Sequence, residues 1–431
     1  MKPDTLKREI DILGLAANTV NLIIGAGIFV LPALVAAYLA EASILAYVVC
    51  GVLMFAIVLC FAEIGSQITV TGGAYAYIQE AFGDYAGFLS NSLFWFGTGV
   101  LMNAAVMNAM ADMIAIFIPE LQKPIFRSLF FILLIGGFAW VNIRGVKYGN
   151  RMVKVNTFLK LIPLLLLIVA GVTCIAPDNL KWHSFPSVSS IGGASLLLFF
   201  AFGGGEAALS VSGEIKNPKR VIPVGILLGI GTVILLYMVI QTIAQGVLGN
   251  DLVHYKDAPL AAVAQRVFGK WGATLMTIGG IVSIFGSLSG SILSYPRVLF
   301  GGAQSGWFPA FLAKIHTRFA TPYWAIIIYG LLDFIFAVTG GFKQLAIIAS
   351  ASLLIIYLGV VLAVIKFRLT RQVSAKNTFR LPFGLLIPFI AVVAILWFLS
   401  NLQKDEWMGI GVALLLLSGI YALVKMSGRR K

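Results

Sequence analysis

Long apolar runs separated by short polar connections dominate the pattern of this chain. Most runs are close to the roughly 20 residues that a helix needs to cross a bilayer, and polar and apolar residues do not alternate as they do in barrel strands. The pattern therefore predicts an all-α integral membrane protein with about 12 transmembrane helices. We number the predicted spans 1 to 12 in chain order, and they lie near residues 11–38, 42–68, 86–118, 128–143, 155–176, 189–213, 221–248, 271–296, 322–340, 344–365, 381–401 and 407–425.

Spans 1 and 6 contain sequences that a continuous helix disfavours. Span 1 reads IIGAGIF from Ile23 to Phe29, and Pro32 follows. Glycine costs about 1 kcal/mol relative to alanine inside a helix, and proline removes an amide donor. Span 6 has glycine at 203, 204 and 205, followed by an acid. Close helix packing through small residues is the alternative for span 6, but it does not explain this run. We predict that both spans break at mid-membrane depth and expose backbone groups to a buried cavity.

The two broken spans also suggest an internal repeat. They lie five helices apart, so the second set of five helices must be inverted relative to the first. Paired broken helices in two inverted halves are typical of secondary transporters with a binding site at the bilayer midplane. We therefore divide the chain into a first repeat at 1–176, a second repeat at 177–366 and two further helices at 367–431.

Charge supports a membrane topology rather than nucleic-acid binding, although the net charge is +14. Sixty per cent of the residues are hydrophobic and 11% are charged, against roughly 25% charged in soluble domains. If the N-terminus is cytoplasmic, 22 lysines and arginines fall inside and 8 outside, and Lys160 lies within a span. Cytoplasmic loops of membrane proteins carry this excess. We expect a multi-pass protein of the plasma membrane with both termini in the cytoplasm, surrounded by lipid and without a nucleic-acid partner.

Polar residues within the spans are the candidates for function. Lys160 either extends its ammonium to the cytoplasmic headgroups or faces the bundle core, where it could exchange a proton or hold helices together as a bound cation would. Glu206 can neutralise a cation, cap the following half-helix or carry a proton. Ser283 and Ser287 can bind an ion or pack between helices. Asp333 is an intramembrane acid to which the sequence assigns no role.

Other membrane functions lack their motifs. An embedded enzyme would need a nucleophile, base or metal cluster, but all three histidines lie in loops and the cysteines form no pair. A channel would need a filter loop or a charged ring. We therefore predict a transporter that is not an enzyme and that uses no metal or cofactor.

Several motifs together resemble those of the amino acid–polyamine–organocation (APC) permeases. They cover nearly the whole chain and are Gly25–Phe29, Ala62–Ile78, Gly203–Glu206, Glu214–Arg220 and Phe285–Arg297. The resemblance implies a LeuT-like fold, in which ten helices form two inverted repeats and two helices follow.

The resemblance also implies a substrate site at the two breaks. Backbone N–H groups of Ala26 and Gly27 would bind a substrate carboxylate, and freed carbonyls would hold its ammonium. Phe200 matches an outer gate, and Phe202 is the alternative. Lys160 matches a lysine that replaces a sodium ion, with Ser283 and Ser287 nearby. The implied substrate-binding positions are Ile23, Gly25, Ala26, Gly27, Phe200, Ala201 and Gly203.

The implied function is sodium-independent transport of neutral L-amino acids, by proton symport or by exchange. Ala26 departs from the serine of many relatives, and the glycine run is expected to leave a roomy side-chain pocket. Glu206 recurs in members that move cationic substrates, so the alternative is a basic amino-acid or diamine/polyamine antiporter. The expected partner is a small amino acid or amine, with protons as one coupling ion. The sequence identifies no partner chain.

Overall fold

The computed structural model describes residues 11–67, 74–144, 150–205, 215–370, 379–381 and 383–426, with backbone alone at 150–159, 218 and 219. Every secondary-structure element of more than one residue within those ranges is a helix. The α-helices are α1 (Ile12–Ile23), α2 (Gly27–Leu39), α3 (Ile44–Gln67), α4 (Ala74–Phe82), α5 (Asp84–Ser92), α6 (Met102–Ala115), α7 (Pro124–Ile143), α8 (Asn150–Gly171), α9 (Val188–Leu198), α10 (Pro218–Leu248), α11 (Pro259–Phe268), α12 (Lys270–Gln304), α13 (Tyr323–Thr339), α14 (Phe342–Thr370), α15 (Leu386–Ser400) and α16 (Lys404–Met426).

The helices agree with the predicted class of a helical membrane protein. Seven described helical segments are long and apolar enough to cross a bilayer, and α1 with α2 passes the same test as a bent pair. Four shorter apolar helices of 10–17 residues fall on predicted spans 5, 6, 9 and 11. The helical membrane class is therefore confirmed, whereas the count of 12 spans and their inverted repeat remain predictions.

Span 1 is broken at the predicted place. Helix α1 ends at Ile23 and α2 begins at Gly27, and the two helical arms are bent by 57°. Ile24 is extended, with φ −70° and ψ 96°, so the backbone leaves the helix at this residue. Span 1 therefore consists of two half-helices that are separated within the isoleucine and glycine sequence, as predicted.

Span 6 also leaves the α-helix, at the end of α9. A 3₁₀ turn, Phe199–Phe202, follows α9, and Gly203 is extended with ψ 149°. Gly204 has φ +101°, a conformation that glycine adopts readily and other residues rarely adopt. Residues 206–214, which include Glu206, lie outside the described residues.

The broken segments pack against several other helices. Helix α10 packs along α1 and α3, and α2 packs against α9. Helix α12 contacts α8 and α6, while α14 packs against a π-helical segment, Leu93–Leu101, that joins α5 to α6. Helix α16 exposes large apolar side chains such as Leu415 and Leu416, as expected of a helix surface that faces lipid. Helices α9, α10 and α3 therefore form part of the packing around the broken segments.

Candidate functional site

The two broken segments touch each other through glycine. A Cβ placed on Gly27 would lie 2.7 Å from the Cβ of Ala201 and 2.9 Å from its Cα. A Cβ on Gly204 would lie 2.9 Å from the carbonyl oxygen of Leu22. Real Cβ contacts are longer than these distances, so both glycines are needed for the backbones to approach so closely. The glycines that weaken the helices therefore also bring the two breaks together.

Tyr237 of α10 connects the two breaks. Its hydroxyl donates to the carbonyl oxygen of Ile23, at 3.2 Å, and to that of Ala201, at 3.1 Å. A hydroxyl has one proton, so the two carbonyls share it. The ring is fully buried. Tyr237 thus holds the end of α1 and the turn after α9 at a fixed separation.

Sequence reasoning missed Tyr237, although the chain carried a signal. Gln241 and Gln245 follow it at intervals of four residues within a long apolar span, and both are buried. Three polar residues at this spacing share one face of a helix. Such a stripe in a membrane span indicates a face that is turned toward other protein segments.

Backbone groups around the breaks have partly satisfied hydrogen bonds. The carbonyl of Phe200 accepts from the amide of Gly203, at 3.2 Å, and the carbonyl of Ala26 accepts from Phe29, at 3.0 Å. Each carbonyl has two lone pairs and can accept once more. The N-cap of α2 is Ala26 and its first residue is Gly27, where helix amides have no intrahelical acceptor and the helix dipole is positive. The two breaks therefore combine donors for an anionic group with acceptors for a cationic one.

Lys160 of α8 faces the bundle core. Its ammonium donates to the carbonyl oxygen of Asn21 at 2.5 Å and to that of Ile24 at 2.8 Å. The residue is 3% exposed, so the ammonium does not extend to the headgroups. Both carbonyls belong to the last turn of α1, where helix carbonyls lack intrahelical donors. The core-facing alternative is thus confirmed, and Lys160 caps α1 at the break.

The two serines of α12 lie in different surroundings. A Cβ on Gly25 would be 3.8 Å from the Oγ of Ser287, so α12 faces the break at this point. Ser287 donates within its own helix to Ile284, at 2.9 Å. Ser283 is fully buried, and its hydroxyl has no hydrogen-bond partner among the described residues. Ser287 therefore lies beside the first break, and the buried hydroxyl of Ser283 has no partner in the described part of the chain.

The two candidate gate residues point toward different helices. The ring of Phe200 packs edge-on against Phe342 at the start of α14, with centroids 5.4 Å apart. The ring of Phe202 packs against Tyr237, with centroids 5.5 Å apart. Phe200 therefore lies between span 6 and the first turn of α14, whereas Phe202 supports the tyrosine that connects the breaks.

Described side chains pack closely against the glycine run, where a roomy pocket is expected from the sequence. A Cβ on Gly203 would lie 2.7 Å from the terminal methyl of Met102 and 3.3 Å from Leu353. A Cβ on Gly205 would lie 3.0 Å from Ile23. The absence of side chains at these glycines thus allows close packing, and the side chains beside Gly203 are apolar.

Comparisons with known proteins place these features in a family context. A family model described as amino acid permease matches residues 10–427. The serine/threonine exchanger SteT of Bacillus subtilis is 29% identical to this chain, and the matched region covers 99% of this chain and 98% of SteT. The branched-chain amino acid permease BcaP of the same organism is 25% identical, and the match covers 92% of this chain and 89% of BcaP. The large neutral amino acids transporter small subunit 2 of Rattus norvegicus is 28% identical, and the match covers 78% of this chain and 65% of that transporter.

Proposed function

The chain belongs to the amino acid permease family, and we propose that it carries neutral L-amino acids across the plasma membrane as a sodium-independent secondary transporter. The observation that carries this proposal is the meeting of the two broken segments, whose carbonyls at Ile23 and Ala201 share the Tyr237 hydroxyl. Backbone donors and acceptors at such breaks bind the ionic groups of small substrates.

In the proposed complex, the zwitterionic end of the substrate lies between the breaks. The amides of Ala26 and Gly27 bind the carboxylate, because they begin α2 and carry the positive end of its dipole. The carbonyls of Ile23, Phe200 and Gly203 accept from the ammonium. Gly25 and Ala201 contribute backbone at the same site. Phe200 closes the site from the outer side, since its ring already packs against the first residue of α14.

The apolar surroundings of Gly203 favour a neutral substrate. Met102 and Leu353 are the side chains that a Cβ at this position would meet, and a cationic side chain would gain no charged partner from them. The names of the three relatives specify serine and threonine, branched-chain and large neutral amino acids. The alternative of a cationic substrate rests on Glu206, which is not among the described residues.

The proposed architecture has 12 spans and cytoplasmic termini. Residues 1–176 and 177–366 form inverted repeats, and residues 367–431 add the last two helices. Lys160 takes the place of a coupling sodium ion, because its ammonium already occupies carbonyls at the end of α1. Ser283, Ser287 and Glu206 complete the coupling region. Coupling is by exchange or by proton symport.

Reconstitution into proteoliposomes tests this function. Labelled serine or leucine should enter when the same amino acid is inside or when a proton gradient is imposed, and replacing sodium by choline should leave the rate unchanged. Labelled arginine and putrescine, a diamine, provide the comparison. Uptake of only the cationic compounds would favour the alternative. A strict sodium requirement would contradict the role of Lys160, and no uptake of any compound would reject transport of this class.

Removing the Tyr237 hydroxyl should weaken substrate binding. In Tyr237→Phe, the carbonyls of Ile23 and Ala201 lose their shared donor, which costs about 1–3 kcal/mol for buried groups. We expect the apparent affinity for serine or leucine to fall roughly tenfold, since each factor of ten corresponds to about 1.4 kcal/mol. The matched control is Tyr85→Phe, which removes an exposed hydroxyl bonded to Ser418. Equal affinities in the two variants would contradict a role for Tyr237 in arranging the breaks.

A further inference from the structure

Asp333 lies in the middle of α13 and is fully buried. Its Oδ2 accepts one hydrogen bond, from the side-chain amide of Asn103 on α6, at 3.4 Å. Its Oδ1 has no hydrogen-bond partner in the described part of the chain. This carboxyl has no role in the substrate binding or in the coupling by Lys160 that we propose. An acidic side chain inside a membrane span is energetically unfavourable, and it usually belongs to a functional site.

No cation neutralises Asp333 within the described residues. Tyr329 lies one turn earlier on α13, and its hydroxyl accepts from Asn103 at 2.9 Å. Tyr295 of α12 stacks on Tyr329, with centroids 6.2 Å apart. Tyr329 therefore shares the Asn103 amide with the carboxyl, and Tyr295 packs against Tyr329.

The other elements packed against α13 bring no compensating charge. The π-helical segment Leu93–Leu101 and the 3₁₀ turn Ala310–Ala313 contain no titratable residue. Asp112 of α6 and Arg127 of α7 bind each other at 2.5 Å, near the other end of α6. Arg297 of α12 donates to its own helix, and Lys270 is the exposed first residue of α12. Asp333 therefore faces neutral groups on every side that the structure describes.

A carboxylate in this position would be a buried charge with one weak hydrogen bond. Burying an unpaired charge costs far more than burying a neutral acid, so the group takes up a proton instead. We propose that Asp333 is a proton-binding site within the membrane, neutral in this conformation and deprotonated when α13 and α6 move apart during transport. The step adds one proton from water to a carboxylate oxygen, and release returns that proton to water.

The position of Asn103 links this carboxyl to the proposed substrate site. Asn103 follows Met102, and the Met102 methyl group lies 2.7 Å from the Cβ position of Gly203. Both residues begin α6 directly after the π-helical segment, and departures of this type from α-helical geometry are frequent at functional sites. A substrate that displaces Met102 would move Asn103, which donates to Asp333. The coupling thus rests on the proposed function, whereas the protonated state of Asp333 does not.

Infrared spectroscopy of the reconstituted protein tests the protonated state without transport. The wild type at neutral pH should show a carboxylic-acid carbonyl band that shifts in D₂O and is lost in Asp333→Asn. Asn103→Ala should shift the band without removing it, because the carboxyl loses its donor. The matched control is Asp178→Asn, which removes an exposed acid paired with Lys181 and should leave the band unchanged. A wild-type spectrum without this band, or a band that survives in Asp333→Asn, would overturn the proposal.

Transport by the same samples tests the coupling. An inward proton gradient should raise net serine or leucine uptake by the wild type, and Asp333→Asn should lose this stimulation. Exchange between internal and external amino acid should persist in Asp333→Asn, because exchange requires no net movement of protons. A lost band with unchanged proton stimulation would overturn the coupling. If neither sample transports, the proposed function fails while the infrared result still decides the state of Asp333.

Discussion

Gly27→Val should strongly weaken substrate binding and reduce transport. Valine would place its Cβ within 2.7 Å of Ala201 and add two methyl groups where the backbones of α2 and the turn after α9 now touch. Overpacking of this kind costs about 1–3 kcal/mol. If that cost falls on the binding geometry, the affinity drops by roughly 10- to 100-fold at about 1.4 kcal/mol per factor of ten. Thermal-shift titration with serine and leucine and uptake into proteoliposomes measure the two effects.

A glycine on another span provides the control for this prediction. Gly136 of α7 is helical and exposed, and a Cβ there would meet no atom within 4 Å. Gly136→Val should retain binding and uptake, which separates the loss at Gly27 from a general effect of valine in a membrane helix. Gel filtration in detergent shows whether each variant remains folded. Wild-type affinity in a folded Gly27→Val variant would place the substrate elsewhere.

The breaks could be predicted because they are local properties of the sequence. Two glycines at 25 and 27, and three at 203–205, weaken a helix wherever it lies. The bend between α1 and α2 and the 3₁₀ turn after α9 follow from that weakness. The sequence also limited Lys160 to two positions, since a long side chain in a span either reaches the interface or finds polar partners.

Features that depend on pairs of distant residues could not be predicted. Tyr237 shares its hydroxyl between carbonyls 214 and 36 residues away, and no local pattern fixes such partners. The glycine run predicts a roomy side-chain pocket only as long as its neighbours in space are unknown. Met102 and Leu353, which occupy that space, come from spans 3 and 10. Side-chain packing between helices therefore decides the shape of the site, and a single sequence does not specify it.

Lys160→Met should strongly reduce transport by releasing the end of α1. Methionine approximates the length of lysine but donates no hydrogen bond, so the carbonyls of Asn21 and Ile24 lose the ammonium. Hydrogen bonds to charged groups contribute about 1.5–3 kcal/mol each. Because Ile24 is the C-cap of α1, this loss falls on the geometry of the break. We expect uptake to fall at least about tenfold, as a loss near 1.4 kcal/mol would produce.

Two further variants test whether transport requires a positive charge at the end of α1 or is reduced by the loss of any lysine. Lys181→Met removes an exposed ammonium paired with Asp178, and it should transport at the wild-type rate. Lys160→Ala leaves space beside the same two carbonyls, and sodium should then restore part of the uptake if the ammonium replaces a bound cation. Restoration would show that α1 requires a positive charge at this point, whatever its source. Wild-type kinetics in Lys160→Met would instead mean that the end of α1 keeps its geometry without the lysine, and the explanation for sodium independence would be lost.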